Sequence, residues 1–130
     1  MSHSAAHATK FYEQVTIDQK VYGLEDDGSF LVFRIRDHDV VPFWSSRSRV
    51  TAIQKRNPKY RKWTVTEEPF PAFVEHTLSQ LEAERISIGL NWSGERLIGY
   101  DIPVPELRKT LDYWTKKRSE ANQSSTAQRP

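Results

Sequence analysis

The densest chemistry in this chain lies between Val40 and Trp63. Arg47, Arg49, Lys55, Arg56, Lys59, Arg61 and Lys62 occur there without a single Asp or Glu, and Trp44 and Trp63 fall in the same stretch. Cations grouped this way suit a polyanion, because each phosphate they neutralise releases a counterion. They suit a protein partner as well, since Arg and Trp are among the residues that most often anchor interfaces. A nucleic-acid surface needs its cations on one face, ideally beside stacking aromatics. In a helix opened by Ser45 or Ser46, turning about 100° per residue, Arg47, Arg49, Lys55 and Arg56 spread around the circumference, with Val50 and Ile53 as a narrow apolar stripe. No single basic face emerges. The expectation is therefore a non-catalytic module that binds another protein, self-association included. Nucleic acid held through residues 47–62 is the alternative. The expected binding residues are Trp44, Arg47, Arg49, Arg56, Arg61, Lys62, Trp63 and Trp92.

Other reactive side chains are scattered. His3 and His7 fall near the N-terminus, His38 stands between Asp37 and Asp39, and His76 lies on the polar flank of a helical stretch. Metal ligands must converge, whereas adjacent side chains in an extended Asp-His-Asp turn point in different directions, so neither a metal site nor a cofactor is expected. Ser45, Ser46 and Ser48 are clustered hydroxyls that helix capping explains, and "GLNWSG" lacks the Gly-x-Ser-x-Gly pattern of a nucleophile elbow. Paired acids at Asp26/Asp27 and Glu67/Glu68 are ordinary at turns and helix starts. The five Gly are isolated, which leaves no phosphate-cradling loop. No catalytic residue is assigned, and a small-molecule enzyme remains a third class only through chemistry that no motif here displays. Trp44 and Trp92 occupy strand ends beside a helix start, where open sheets often place a cleft. The competing expectation packs each Trp in the core with its indole N–H on a carbonyl.

These residues need a scaffold, and 130 residues suit one domain with one core. Cysteine is absent, which excludes disulfides, thiolate zinc sites and thiol catalysis and fits a reducing cytosol. Neither a signal-peptide pattern nor an apolar run of roughly 18 residues is present, so a cytoplasmic protein with no membrane partner is expected. The formal net charge of +2 says little by itself. Its distribution says more, since the basic block lies between acidic neighbours that limit its far field.

Ala8, Phe11, Tyr12 and Val15 hold helical spacing, with Ser4 as a cap and an end near Thr16. "KVYGLED" and "SFLVFRIR" read as a hairpin around Asp27-Gly28, and "VVPF" as a third strand that Pro42 places at an edge or near its own end. "YRKWTV" alternates like a half-buried strand. Phe70, Phe73, Val74, Thr77, Leu78 and Leu81 mark a long helix, with Pro71 in its first turn. "ISIGLNW" and "RLIGYDI" form a second hairpin around "SGE", and Pro105 opens a last helix through Leu107, Leu111 and Trp114. From Thr115 onward too little apolar matter remains to offset ordering entropy, so the expectation is a single domain over residues 1–114 and a disordered tail over 115–130. The order of elements predicts an α+β fold, a mixed and mostly antiparallel sheet packed by about four helices.

The succession "VYGLEDDGSF", "VPFW" opening a short helix, "FPAFVEHTLSQLEAERISIGLNW" and "VPELRKTL" resembles the bacterial family called domain of unknown function 2750, over roughly Val21 to Leu111. The resemblance rests on the order and spacing of several short motifs. Where that family commonly has Pro after the Trp of "PFW", this chain has Ser45. It implies a compact bacterial cytosolic domain and brings no catalytic residues. An immunity or accessory protein paired with a toxin fits this size by analogy with other small bacterial domains.

Overall fold

A computed structural model describes residues 3–94 and 96–127, and at positions 3, 4 and 123–127 the backbone alone. The cap expected from Ser4, the His3 side chain, Glu95 of the "SGE" turn and the last three residues fall outside the described residues.

The chain is an α+β domain in which helices pack on two sheets. One sheet has the order β2-β1-β5, from β1 (Lys20–Asp26), β2 (Ser29–Phe30) and β5 (Thr64–Pro69). The other has the order β3-β4-β6-β7, from β3 (Phe33–Ile35), β4 (His38–Phe43), β6 (Ile86–Ser93) and β7 (Ile98–Ile102). Pairing is antiparallel except between β4 and β6. That parallel pair puts the ends of β4 and β6 at the same edge of the sheet, and the helix after β4 starts there. Trp44 joins the sheets: its N–H donates to the Tyr22 carbonyl at 2.8 Å and its carbonyl accepts from Tyr22 N at 2.9 Å.

Asp27 and Gly28 form the expected tight turn, both at positive φ (52° and 81°), the twist a two-residue hairpin requires. The segment predicted as one strand, "SFLVFRIR", divides between the sheets. Ser29 and Phe30 pair with β1, whereas Phe33 to Ile35 pair with β4 around a turn that places Arg36 at φ 56°. Pro42 sits in a strand flanked on both sides, but β3 reaches only to Val40, so the missing proline N–H faces no partner on that side. "YRKWTV" is a second difference. Tyr60 closes a 3-10 turn over Pro58–Tyr60, and the strand starts at Thr64. Gln54 explains the shift, because its Nε2 donates to the carbonyls of Tyr60 (3.1 Å) and Trp63 (2.7 Å) and folds that segment back onto the preceding helix.

Among the described residues, four helical rods cover the sheets: α1 (His3–Asp18), α2 (Arg47–Arg56), a rod over residues 70–83, and α5 (Val104–Ala127). The third begins as α3 (Phe70–Ala72), passes through a π turn (Phe73–Thr77) and continues as α4 (Leu78–Ala83). Its buried residues Phe70, Phe73, Leu78 and Leu81 are spaced three, five and three apart, and the wide i to i+5 turn keeps Phe73 and Leu78 on the same core face. Arg108 takes up the Val74 carbonyl at 2.8 Å. α5 remains helical to Ala127, past the point where the sequence predicts a disordered tail. Lys116 pairs with Asp112 at 3.0 Å, and Lys117 lies 5.0 Å from the Trp114 ring centroid, contacts that support a helix burying little surface.

Among the described residues, the buried side chains form two core clusters. The larger joins Phe11, Val15, Phe43, Phe73, Leu78 and Leu107 beneath α1, the 70–83 rod and α5. The smaller joins Trp44, Val50, Ile53, Tyr60 and Trp92 beneath α2. Among the described residues, no helix is long and apolar enough to cross a membrane.

Candidate functional site

α2 begins directly after β4, with Ser46 as its cap: Ser46 Oγ accepts from the Arg49 N–H at 3.4 Å. Burial of Val50 and Ile53 fixes the rotation of this helix and sorts its cations onto two flanks. Arg49 and Arg56, with Ala52 and Ile53 between them, form the flank toward α1. Together with His7 of α1 and with Trp92, Ser93 and Gly94 at the end of β6, they line a cleft of about 300 Å³. That volume is at the lower end of the range for small-ligand sites, about 300–1,000 Å³.

The walls are held by a buried polar network. Asn91, in the bulge near the end of β6, takes φ 53°, a left-handed conformation that Asn tolerates better than most side chains. Its Oδ1 accepts from Ser45 N at 2.9 Å, and its Nδ2 donates to the His7 carbonyl at 3.1 Å. Ser45 Oγ donates to Gln14 Oε1. Buried amides and hydroxyls are costly unless paired, so these bonds fix α1 against the ends of β4 and β6 and place His7 at the cleft. The His7 ring has Nδ1 3.4 Å from Ser93 Oγ. At the other end, Asn57 Nδ2 donates to Ile53 O at 3.2 Å and lies 3.4 Å from Gly94 O, joining the end of α2 to the rim.

The described lining of the cleft carries two arginines. Burial lowers the pKa of the Arg49 guanidinium, a group that stays protonated in proteins. Among the described residues, neither Arg49 nor Arg56 forms an ion pair, and no carboxylate lines the cleft. A half-buried guanidinium in this setting is poised for a charge-assisted bond to an incoming anion.

The remaining expected binding residues are placed differently. Arg47 lies on the opposite flank, 3.4 Å from Glu67 and 5.6 Å from the Tyr22 ring centroid. Arg61 caps α2, with its guanidinium on the carbonyls of Gln54 and Lys55, both at 3.3 Å. Lys62 is exposed, and Trp63 is half-buried against the smaller core. Trp44 and Trp92 are 0% and 1% exposed, and their indole N–H groups donate to the carbonyls of Trp92 (2.8 Å) and Tyr100 (2.9 Å). Trp92 therefore offers the cleft almost no exposed surface. The fold brings Arg49, Arg56 and Trp92 together and separates them from Arg47, Arg61, Lys62 and Trp63. His7 and Ser93 were not anticipated as site residues. The expected spread of the cations around the helix holds for Arg47 and Lys55 but not for Arg49 and Arg56, whose seven-residue spacing returns them to one face, whereas nothing local announces His7. Elsewhere, His38 is held between Asp37 (3.3 Å) and Asp101 (2.9 Å), one carboxylate at each ring nitrogen.

A family model described as Protein of unknown function (DUF2750) matches residues 8–111. The chain belongs to that family. The DUF2750 match takes in both core clusters and every cleft residue except His7, which immediately precedes it. It ends at Leu111, within α5. No curated protein matches the chain.

Proposed function

We propose that this DUF2750 domain is a non-catalytic binding module that recognises an acidic region of another protein at the cleft between α1 and α2, in a bacterial cytosol. The observation that carries this reading is the shared flank of Arg49 and Arg56, two cations without an ion pair among the described residues, beside a cleft with no carboxylate in its described lining. Electrostatic complementarity of this kind steers encounter and selects partners. A cytosolic setting is supported by the lack of Cys. The test is quantitative capture from the native cell with the parent chain and the double variant R49Q/R56Q. A partner with an acidic surface should be retained by the parent at low salt and lost by the variant. Identical captured sets, or retention of nucleic acid with a steep salt dependence, would contradict it.

A second reading, a small-molecule enzyme, draws on His7, whose Nδ1 stands 3.4 Å from Ser93 Oγ beside Trp92. A general base needs an orienting partner and a nucleophile within about 3.2 Å. The wider His7–Ser93 spacing favours binding over catalysis.

A further inference from the structure

We infer that the occupant of the cleft is a short acidic stretch of the partner, with two carboxylates on either side of one apolar side chain. This rests on the binding reading above and adds the chemistry of what is bound. Arg49 and Arg56 are seven residues apart on one helix, which separates their backbones by roughly 10 Å along the axis. Ala52 and Ile53 lie between them in the cleft lining. The wall between the two cations is therefore apolar. A ligand that engages both guanidinium groups must cross it, whereas a lone small anion engages one.

An extended peptide meets this pattern. Residues i, i+2 and i+4 point to one side, with i and i+4 roughly 13 Å apart, a span that two flexible Arg side chains can close. The outer two would carry the carboxylates, each able to take a guanidinium in a forked pair of hydrogen bonds. The middle one would carry an aliphatic group against Ala52 and Ile53. Nucleic acid fits less well. Trp92 is 1% exposed and offers no face on which a base can stack, and the other cations of α2 lie on the opposite flank.

The experiment titrates the isotopically labelled full chain with the capped peptide acetyl-Glu-Ser-Leu-Ser-Glu-amide and follows backbone amide shifts. Shifts are expected at Arg49, Ala52, Arg56, Ser93 and Gly94. Changing either peptide Glu to Gln should weaken binding about tenfold, and so should R49Q or R56Q in the protein. The Glu-to-Gln peptides keep the test decisive even if a protein variant unfolds. Absence of shifts up to millimolar peptide would overturn the inference. So would equal binding of the Gln peptides, or inorganic phosphate or an oligonucleotide binding the same residues more tightly. If the peptide is silent while a native partner is captured by the parent and lost by R49Q/R56Q, the inference fails and the binding module stands.

Discussion

The indole N–H of Trp44 donates to the carbonyl oxygen of Trp92 at 2.8 Å, joining the end of β4 to the end of β6 beneath the cleft. Trp44→Phe removes that donor and part of the side-chain volume. A loss of about 1–3 kcal/mol in urea denaturation is expected from the orphaned carbonyl alone. Unchanged stability would show that the bond contributes nothing.

Trp92 is wedged against two glycines. A Cβ at Gly99 would fall 2.4 Å from one of its ring carbons, and a Cβ at Gly89 would fall 2.5 Å from another. Gly99→Ala should therefore push the indole off its seat and cost about 1–3 kcal/mol, the usual scale of overpacking. Thermal unfolding reads the loss, and amide shifts at Ser93 and Gly94 should accompany it. A variant with the parent's melting temperature would mean that Trp92 moves freely.

The His38–Asp101 contact sets a pH dependence. The hydrogen bond to Asp101 first, then that to Asp37, raises the His38 pKa above its ordinary value. A raised folded value means stability that is fully present below the unfolded pKa, about 6.5, and lost as pH rises through the higher folded value. Asp101→Asn should thus destabilise the protein more at pH 6 than at pH 8.5, and proton NMR should show the His38 titration moving to lower pH. Equal destabilisation at both pH values would rule the linkage out.

How far the sequence foretold this molecule depends on whether the signal was local. Asp27-Gly28 and the spacing of Phe11 and Val15 act through neighbours in the chain, and they were readable. The parallel pairing of β4 with β6 was not, because strand order depends on contacts between segments more than forty residues apart. The π turn was hidden because Val74 and Thr77 also fit an unbroken apolar stripe. Arg61 reads as a surface cation until the fold shows it capping α2. The cleft needed three distant segments, and Asn91 reaching the His7 carbonyl joins positions 84 apart.

On α5 the Lys116–Asp112 pair is exposed, and residues 119–122 are exposed as well. Deleting residues 119–130 should shift the melting temperature by no more than about 2 °C, the scale of a stability term of a few tenths of a kcal/mol. A drop several times larger would show that this stretch docks on the domain.

The central claim is that the flank of Arg49 and Arg56 receives the partner, and mapping that partner on the labelled protein tests it most directly. Amide shifts should gather at Arg49, Ala52, Ile53, Arg56, Ser93 and Gly94 and fade as salt rises, since exposed charges are screened beyond about 10 Å at 0.1 M. Shifts confined to Arg47, Thr51, Lys55 and Arg61 on the opposite flank, with the cleft silent, would contradict the account.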